Sequence, residues 1–177
     1  MTPANTDLLR NAVRNVPDFP LPGIQFKDVT PVLADAGLMK LAIDGMEEIV
    51  AGQKVDKVVG IDARGFIFGA LLAARLGTGF IPARKKGKLP WRTMGVDYAL
   101  EYGTNSIEMH EDAILPGERV VLADDLLATG GTAGAVLELM KRSQADIVCS
   151  IFFIELEFLK GREKLGGFGP IHSLLTY

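Results

Sequence analysis

The sequence predicts an α/β fold in which helices flank a mostly parallel, twisted sheet. Short apolar runs that suit buried strands alternate along the chain with longer stretches of helical periodicity. Four strand candidates are followed directly by a charged residue, namely Asp62, Arg84, Asp124 and Glu155. Because ligands bind beyond the carboxyl ends of parallel strands, we expect an active site at that edge of the sheet.

Each element has its own signal in the sequence. Apolar residues at helical spacing predict helices over residues 7–15, 37–53, 66–76 and 131–142. Short apolar runs predict strands over residues 58–61, 80–82, 119–123 and 147–154. Three prolines exclude a regular helix between Pro17 and Pro22. Residues 91–110 lack clear helical periodicity, and residues 98–102 and 106–109 could pair as a β-ribbon.

Composition limits the classes of protein that need to be considered. A chain of 177 residues favours one domain with a substantial core. A net charge of −3 gives no reason to expect a nucleic acid or an anionic membrane as partner. No apolar run reaches the ~18 residues of a membrane span and no signal-peptide pattern is visible, so we predict a cytoplasmic protein. The single cysteine, Cys149, is predicted to be a packed thiol.

The most informative segment is an apolar strand that ends in two adjacent acids, Asp124 and Asp125, and leads into a loop and a helix. The loop residues are Ala128, Thr129, Gly130, Gly131 and Thr132. Hydroxyls and backbone N–H groups at the start of a helix suit a phosphate, and glycine permits the close approach. The acid pair suits sugar hydroxyls, which donate hydrogen bonds to carboxylates. A plain strand-to-helix turn with solvated acids is the alternative.

Two basic segments could serve a second anion. Asp62, Ala63 and Arg64 form another junction between a strand and a helix, and Arg64 adds a cation to the helix N-terminus. The tract from Arg84 to Lys88 follows the next strand candidate. Each segment could equally be a solvated surface.

The acid pair and its loop resemble the signature of the type I phosphoribosyltransferases, which bind 5-phosphoribosyl-1-pyrophosphate (PRPP). Further segments, in order over roughly residues 17–175, resemble the adenine-specific branch of that family. They are residues 19–28, 60–66, 84–90, 100–103 and 159–165. The resemblance implies the type I fold as a single domain over residues 1–177. A small base-binding hood would cover about residues 1–35 and a flexible β-ribbon flap about residues 88–110.

The resemblance also implies the reaction, in which PRPP and adenine give AMP and pyrophosphate. The loop would hold the 5′-phosphate, and Asp124 and Asp125 would hold the ribose hydroxyls. The residues expected at the pyrophosphate are Asp62, Ala63, Arg64, Arg84 and Lys88. In the family a non-proline cis peptide is often found at the position of the first three. Mg²⁺ would arrive on the pyrophosphate, and the acid pair could contact its waters. Relatives are usually homodimers, so we expect one here.

Other residues would hold the base and assist the chemistry. Phe26 would stack on adenine, the backbone of Gln25 and Lys27 would contact its edge, and Leu156 would pack on its other face. Glu101 and Tyr102 would be catalytic residues on the flap. Arg64 would be a third catalytic residue, outside the flap, and would neutralise charge on the leaving group. Glu101 could handle the base proton or stabilise the cationic sugar, and the sequence does not choose between them.

Two alternatives remain. An enzyme for 6-oxo purines commonly places a lysine after the last strand, whereas this chain has Glu155, Leu156 and Glu157 there and no lysine before Lys160. A regulator that binds PRPP or purines would usually carry a DNA-binding module, and no pattern for one is apparent. Adenine transfer is therefore the favoured prediction.

Overall fold

The structure, a computed structural model, describes residues 1–99 and 104–177. The helices are α1 (Pro3–Ala12), α2 (Thr30–Ala34), α3 (Ala36–Ile49), α4 (Gly65–Leu76), α5 (Gly131–Arg142) and α6 (Gly161–Leu165). The strands are β1 (Arg14–Pro17), β2 (Gln25–Asp28), β3 (Lys57–Ile61), β4 (Gly79–Lys85), β5 (Thr93–Ala99), β6 (Thr104–His110), β7 (Arg119–Leu127), β8 (Asp146–Glu155) and β9 (Ile171–Thr176). A 3₁₀ turn, Glu157–Leu159, lies between β8 and α6.

Among the described residues, the main sheet has seven strands in the order β5-β6-β4-β3-β7-β8-β9. The five strands from β4 to β9 in this order run parallel, and β5 and β6 form an antiparallel hairpin at one edge. β1 and β2 form a separate two-stranded ribbon. The prediction of a mostly parallel sheet flanked by helices is confirmed.

The core consists of two layers, one on each face of the sheet. On one face, Met46 of α3 and Phe68 of α4 pack with Phe153 of β8. On the other, Leu137 of α5 packs in a cluster with Phe152, the preceding residue of β8. Because successive strand residues point to opposite faces, β8 is apolar from Ile147 to Ile154 apart from Ser150 and serves both layers.

The structure corrects several predicted boundaries near the N-terminus. The helix predicted over 7–15 begins earlier, since Pro3 is its first residue and the Thr2 side chain accepts a hydrogen bond from the N–H of Asn5. It also ends earlier, because residues 14–17 are β1, which pairs with β2. The helix predicted over 37–53 ends at Ile49.

Two short helices, α2 and α6, and several strands were not predicted. β2 and β9 carry polar residues and were not predicted. The strand predicted over 80–82 extends over all of β4. The predicted ribbon is the longer hairpin β5–β6, although residues 100–103 lie outside the described ranges. Within the parts of the chain that are described, no helix combines the length and apolarity needed to cross a membrane.

Candidate active site

The acid pair lies inside a strand rather than beyond its end. β7 was predicted to stop at residue 123, but it continues to Leu127, which pairs with Glu155. Asp124 is 9% exposed and Asp125 is 7% exposed, and the Asp125 N–H donates to Asp124 Oδ1 at 2.9 Å. Burial, followed by the charge of Asp125, raises the pKa of Asp124 well above its usual range. The pair is therefore poorly solvated, and the hydrogen bond between its two members restricts their positions.

The phosphate loop, defined here as residues 128–132, follows β7 directly. Gly130 caps α5 in the left-handed conformation, with φ of 77°, and α5 begins at Gly131. The first turn of α5 contains no acidic residue, so its N–H groups keep a positive local potential. This segment is suited to an anion such as a phosphate.

A second strand-to-helix junction stands next to the first. β3 ends at Ile61, the Asp62–Ala63 peptide bond is cis as the resemblance implied, and α4 begins at Gly65. The Arg64 guanidinium forms an ion pair with Asp125. A Cβ on Gly65 would overlap Asp124 Oδ1, so only glycine lets the start of α4 pack directly on that carboxylate. The two junctions are thus joined by side-chain and close backbone contacts.

One cavity of about 300 Å³ connects these groups. Its walls include Asp62, Ala63 and Arg64 from the β3–α4 junction, Asp124 and Asp125 from β7, and the whole phosphate loop. Within the described ranges, no group of three or more His, Cys, Asp or Glu side chains is arranged to hold a metal ion. The carboxylates in the wall of this cavity are those of the acid pair and that of Asp62.

Phe26, which was predicted to stack on the base, lies close to this cavity through Arg64. The Arg64 guanidinium is 5.7 Å from the centre of the Phe26 ring, which also meets the Phe19 ring edge-on at 5.2 Å. Phe26 thus meets the same arginine that pairs with Asp125. Phe26 itself does not line the cavity.

The neighbours of Phe26 are held by other contacts. Gln25 is exposed and pairs with Pro17 in the β1–β2 ribbon. The Lys27 ammonium donates to Asn15 at 2.6 Å and lies 3.9 Å from the centre of the Tyr177 ring. Leu156, half-buried, donates its N–H to Leu127 at the end of β7. The base-binding candidates therefore come from two separate parts of the chain.

The basic tract stands beside the cavity rather than in its wall. Arg84 Nε donates to Asp62 at 3.1 Å, and the other side of the guanidinium donates to the Lys88 carbonyl at 3.0 Å. The Lys88 side chain is exposed. Glu101 and Tyr102 lie outside the described residues, so the structure does not place them.

The sequence did not single out Glu108 or the close-packing role of Gly65. Glu108 is buried on β6 and accepts a hydrogen bond from the Gly87 N–H at 3.0 Å, which fixes the turn of the basic tract. The close-packing role of Gly65 had one available signal in the sequence, which was a glycine at the start of a helix that follows a strand. Glu108 had no local signal, because its partner lies 21 residues away.

This fold and site define a class of protein. Residues 32–164 match the model of the phosphoribosyl transferase domain, and the chain belongs to that family. The adenine phosphoribosyltransferase of Syntrophotalea carbinolica is 57% identical over 169 residues, which cover 96% of this chain and 98% of the relative. With relatives of this kind along its whole length, the chain falls among the adenine phosphoribosyltransferases of the family.

Solved structures agree with this placement. The crystal structure of adenine phosphoribosyltransferase from Rhodothermus marinus matches with a TM-score of 0.95 and 50% identity, covering 99% of this chain and 100% of that one. The Saccharomyces cerevisiae enzyme, crystallised with an imino-altritol bisphosphate and adenine, matches with a TM-score of 0.92 and 40% identity. That match covers 98% of this chain and 99% of the yeast chain.

Proposed function

We propose that the protein transfers the 5-phosphoribosyl group from PRPP to adenine, giving AMP and pyrophosphate. The observation that carries this proposal is the single cavity in which a phosphate loop, a buried acid pair and Arg64 meet. These features suit, in turn, the 5′-phosphate, the ribose hydroxyls and the pyrophosphate of one substrate. Adenine in the yeast relative's crystal supports the choice of base.

The non-reacting part of PRPP anchors the substrate. The N–H groups and hydroxyls of the phosphate loop bind the 5′-phosphate at the positive end of α5. Asp124 and Asp125 bind the ribose hydroxyls from a strand that cannot easily move, because β7 pairs with β3 as far as Ala123 and with β8 as far as Leu127. Binding energy from these contacts orients the ribose C1 atom toward the base.

The chemical step exchanges one bond at C1 for another. The bond from C1 to the pyrophosphate oxygen breaks with its electron pair leaving on pyrophosphate, while adenine N9 forms the new bond and loses its proton. Arg64 stabilises the charge that develops on the leaving group, and Arg84 adds a second cation behind it. Lys88, Asp62 and Ala63 complete the pyrophosphate site in this proposal. Glu101 and Tyr102 remain predicted catalytic residues.

Mg²⁺ fits this site as a cation that is carried by the substrate. Hard oxygen ligands suit it, but Asp125 already pairs with Arg64, so pyrophosphate oxygens would be its main ligands. Asp124 and Asp125 could reach its waters. When bound, the ion would neutralise part of the pyrophosphate charge.

The base site lies between the N-terminal ribbon and the segment after β8. Phe26 stacks on adenine, Leu156 packs against its other face, and the backbone at Gln25 and Lys27 contacts its polar edge. Residues 1–35 would thus form the hood, and residues 88–110 the flap that shields the reacting centre from water. The homodimer and the cytoplasmic location stay predictions.

A base panel tests the proposed function. Purified protein with PRPP and Mg²⁺ is mixed with adenine, hypoxanthine, guanine, xanthine or orotate, and nucleotide and pyrophosphate are measured. We expect AMP and pyrophosphate in equal amounts from adenine alone. Turnover of a 6-oxo purine in place of adenine would overturn the base site. PRPP binding without turnover of any base would indicate a sensor.

A further inference from the structure

An ion pair between a buried carboxylate, Glu155, and a half-exposed guanidinium, Arg162, stands at the carboxyl end of β8, next to the proposed site. Glu155 is 4% exposed, and both of its oxygens accept hydrogen bonds from the Arg162 guanidinium, at 2.9 and 2.5 Å. Ser173 of β9 adds a third hydrogen bond at 2.6 Å. The reaction proposed above does not use any of these three side chains.

The contacts of the pair hold the Arg162 guanidinium in one orientation and favour the charged form of both side chains. Arg162 also donates to the Ile171 carbonyl at 2.7 Å, so its guanidinium is held by two strands at once. The hydrogen bonds from Arg162, and then that from Ser173, lower the pKa of Glu155, and the same contact raises the pKa of Arg162. A planar, two-pronged contact of this kind specifies direction in a way that a lysine contact does not.

The residue beside each partner borders a different part of the proposed site. Glu155 precedes Leu156, which is a candidate for one face of the base. Arg162 follows Gly161, which packs on the backbone of the phosphate loop. A Cβ on Gly161 would overlap the Ala128 carbonyl oxygen and lie 3.0 Å from the Gly130 nitrogen. A Cβ on Gly130 would in turn lie 2.7 Å from the Gly161 carbonyl oxygen.

We propose that Glu155 and Arg162 are positioning residues that hold the start of α6 against the phosphate loop and set Leu156 at the base site. This inference rests on the proposed function for the identity of the two subsites. The Glu155 carboxylate fixes the guanidinium, the guanidinium fixes the adjoining Gly161, and Gly161 limits the conformations of Ala128 and Gly130. One two-pronged contact thereby couples the geometry of the phosphate site to that of the base site.

Replacing Arg162 tests this coupling. Arg162→Met keeps much of the side-chain volume and removes the charge, whereas Arg162→Lys keeps the charge and loses the two-pronged contact. Arg142→Met is the matched control, because it breaks an exposed ion pair with Glu138 on α5. Kinetics are measured with PRPP and adenine varied separately, at a temperature where circular dichroism shows every variant folded. Amide hydrogen exchange is measured without substrate.

We expect Arg162→Met to lower kcat/KM for both substrates about 10- to 100-fold, chiefly by raising both KM values. Arg162→Lys should recover part of the loss, and the control should match the wild type. Exchange should become faster at residues 128–132 and stay unchanged at residues 57–61 of β3. A role limited to stability would lower the melting temperature without changing KM or the local exchange.

Wild-type KM values and unchanged loop exchange in folded Arg162→Met would overturn the proposal. If that variant does not fold, Ser173→Ala removes one hydrogen bond and leaves the ion pair, and it should change KM and exchange less but in the same direction. Unchanged values in Ser173→Ala would then overturn the proposal. Failure of the proposed function would be a separate result, because the wild-type protein would then show no turnover. In that case amide hydrogen exchange at residues 128–132 of the Arg162 variants still tests whether the ion pair holds the phosphate loop.

Discussion

Gly65→Ala is a small change with a large expected effect on catalysis. The added Cβ would overlap Asp124 Oδ1 and lie 3.2 Å from the Ala123 carbonyl oxygen. Ordinary contact begins at about 3.4 Å, so the carboxylate has to shift by about 1 Å. A displacement of that size in a binding group can reduce activity about 100-fold. The same change adds helix propensity worth at most ~1 kcal/mol and costs ~1–3 kcal/mol through overpacking, so stability should fall only modestly.

Steady-state kinetics and thermal unfolding separate the two effects. We expect kcat/KM for PRPP to fall about 100-fold while the protein remains folded. Gly134→Ala is the matched control, because its Cβ would meet Leu165 at an ordinary 3.5 Å inside α5. That variant should be fully active and slightly more stable. Wild-type kcat/KM in Gly65→Ala would refute the argument that α4 packs on a ribose-binding carboxylate.

Three further predictions follow from the same structure. Phe26→Leu should raise the KM for adenine about tenfold through the loss of stacking, and leave the KM for PRPP nearly unchanged, as separate titrations of the two substrates would show. Because the pKa of Asp124 is raised, the native protein keeps a proton that the unfolded chain loses above about pH 4. As the pH rises from about 4 through the native pKa, the free energy of unfolding of the wild type should therefore fall relative to that of Asp124→Asn. Parallel urea titrations of both proteins measure this difference. Burial raises the pKa of the Cys149 thiol to about 12, so the thiol should resist a disulfide reagent in native protein and react once the chain unfolds.

The central strands and the four longer helices could be predicted because their signals are local. β3, β8 and α5 combine apolar runs or helical periodicity with clear ends, and the acid pair ends the apolar run of β7 shortly before the loop. Their position at the carboxyl edge then follows from the parallel topology. The cavity confirms that the two strand-to-helix junctions meet.

What the sequence missed depends on partners that are distant in the chain. β1 and β2 have little apolar patterning and exist as strands because they pair with each other. β9 is an edge strand whose polar residues include Ser173, a partner of Glu155. Neither the ion pair of Glu155 nor the hydrogen bond from the Gly87 N–H to Glu108 has a sequence motif, since each depends on tertiary contacts.

The position of bound AMP tests the central claim most directly. A crystal structure of the complex should show its phosphate on the N–H groups of residues 128–132, its ribose hydroxyls at Asp124 and Asp125, and its base against Phe26. AMP bound with its phosphate away from this loop, or with its base away from Phe26, would contradict the account.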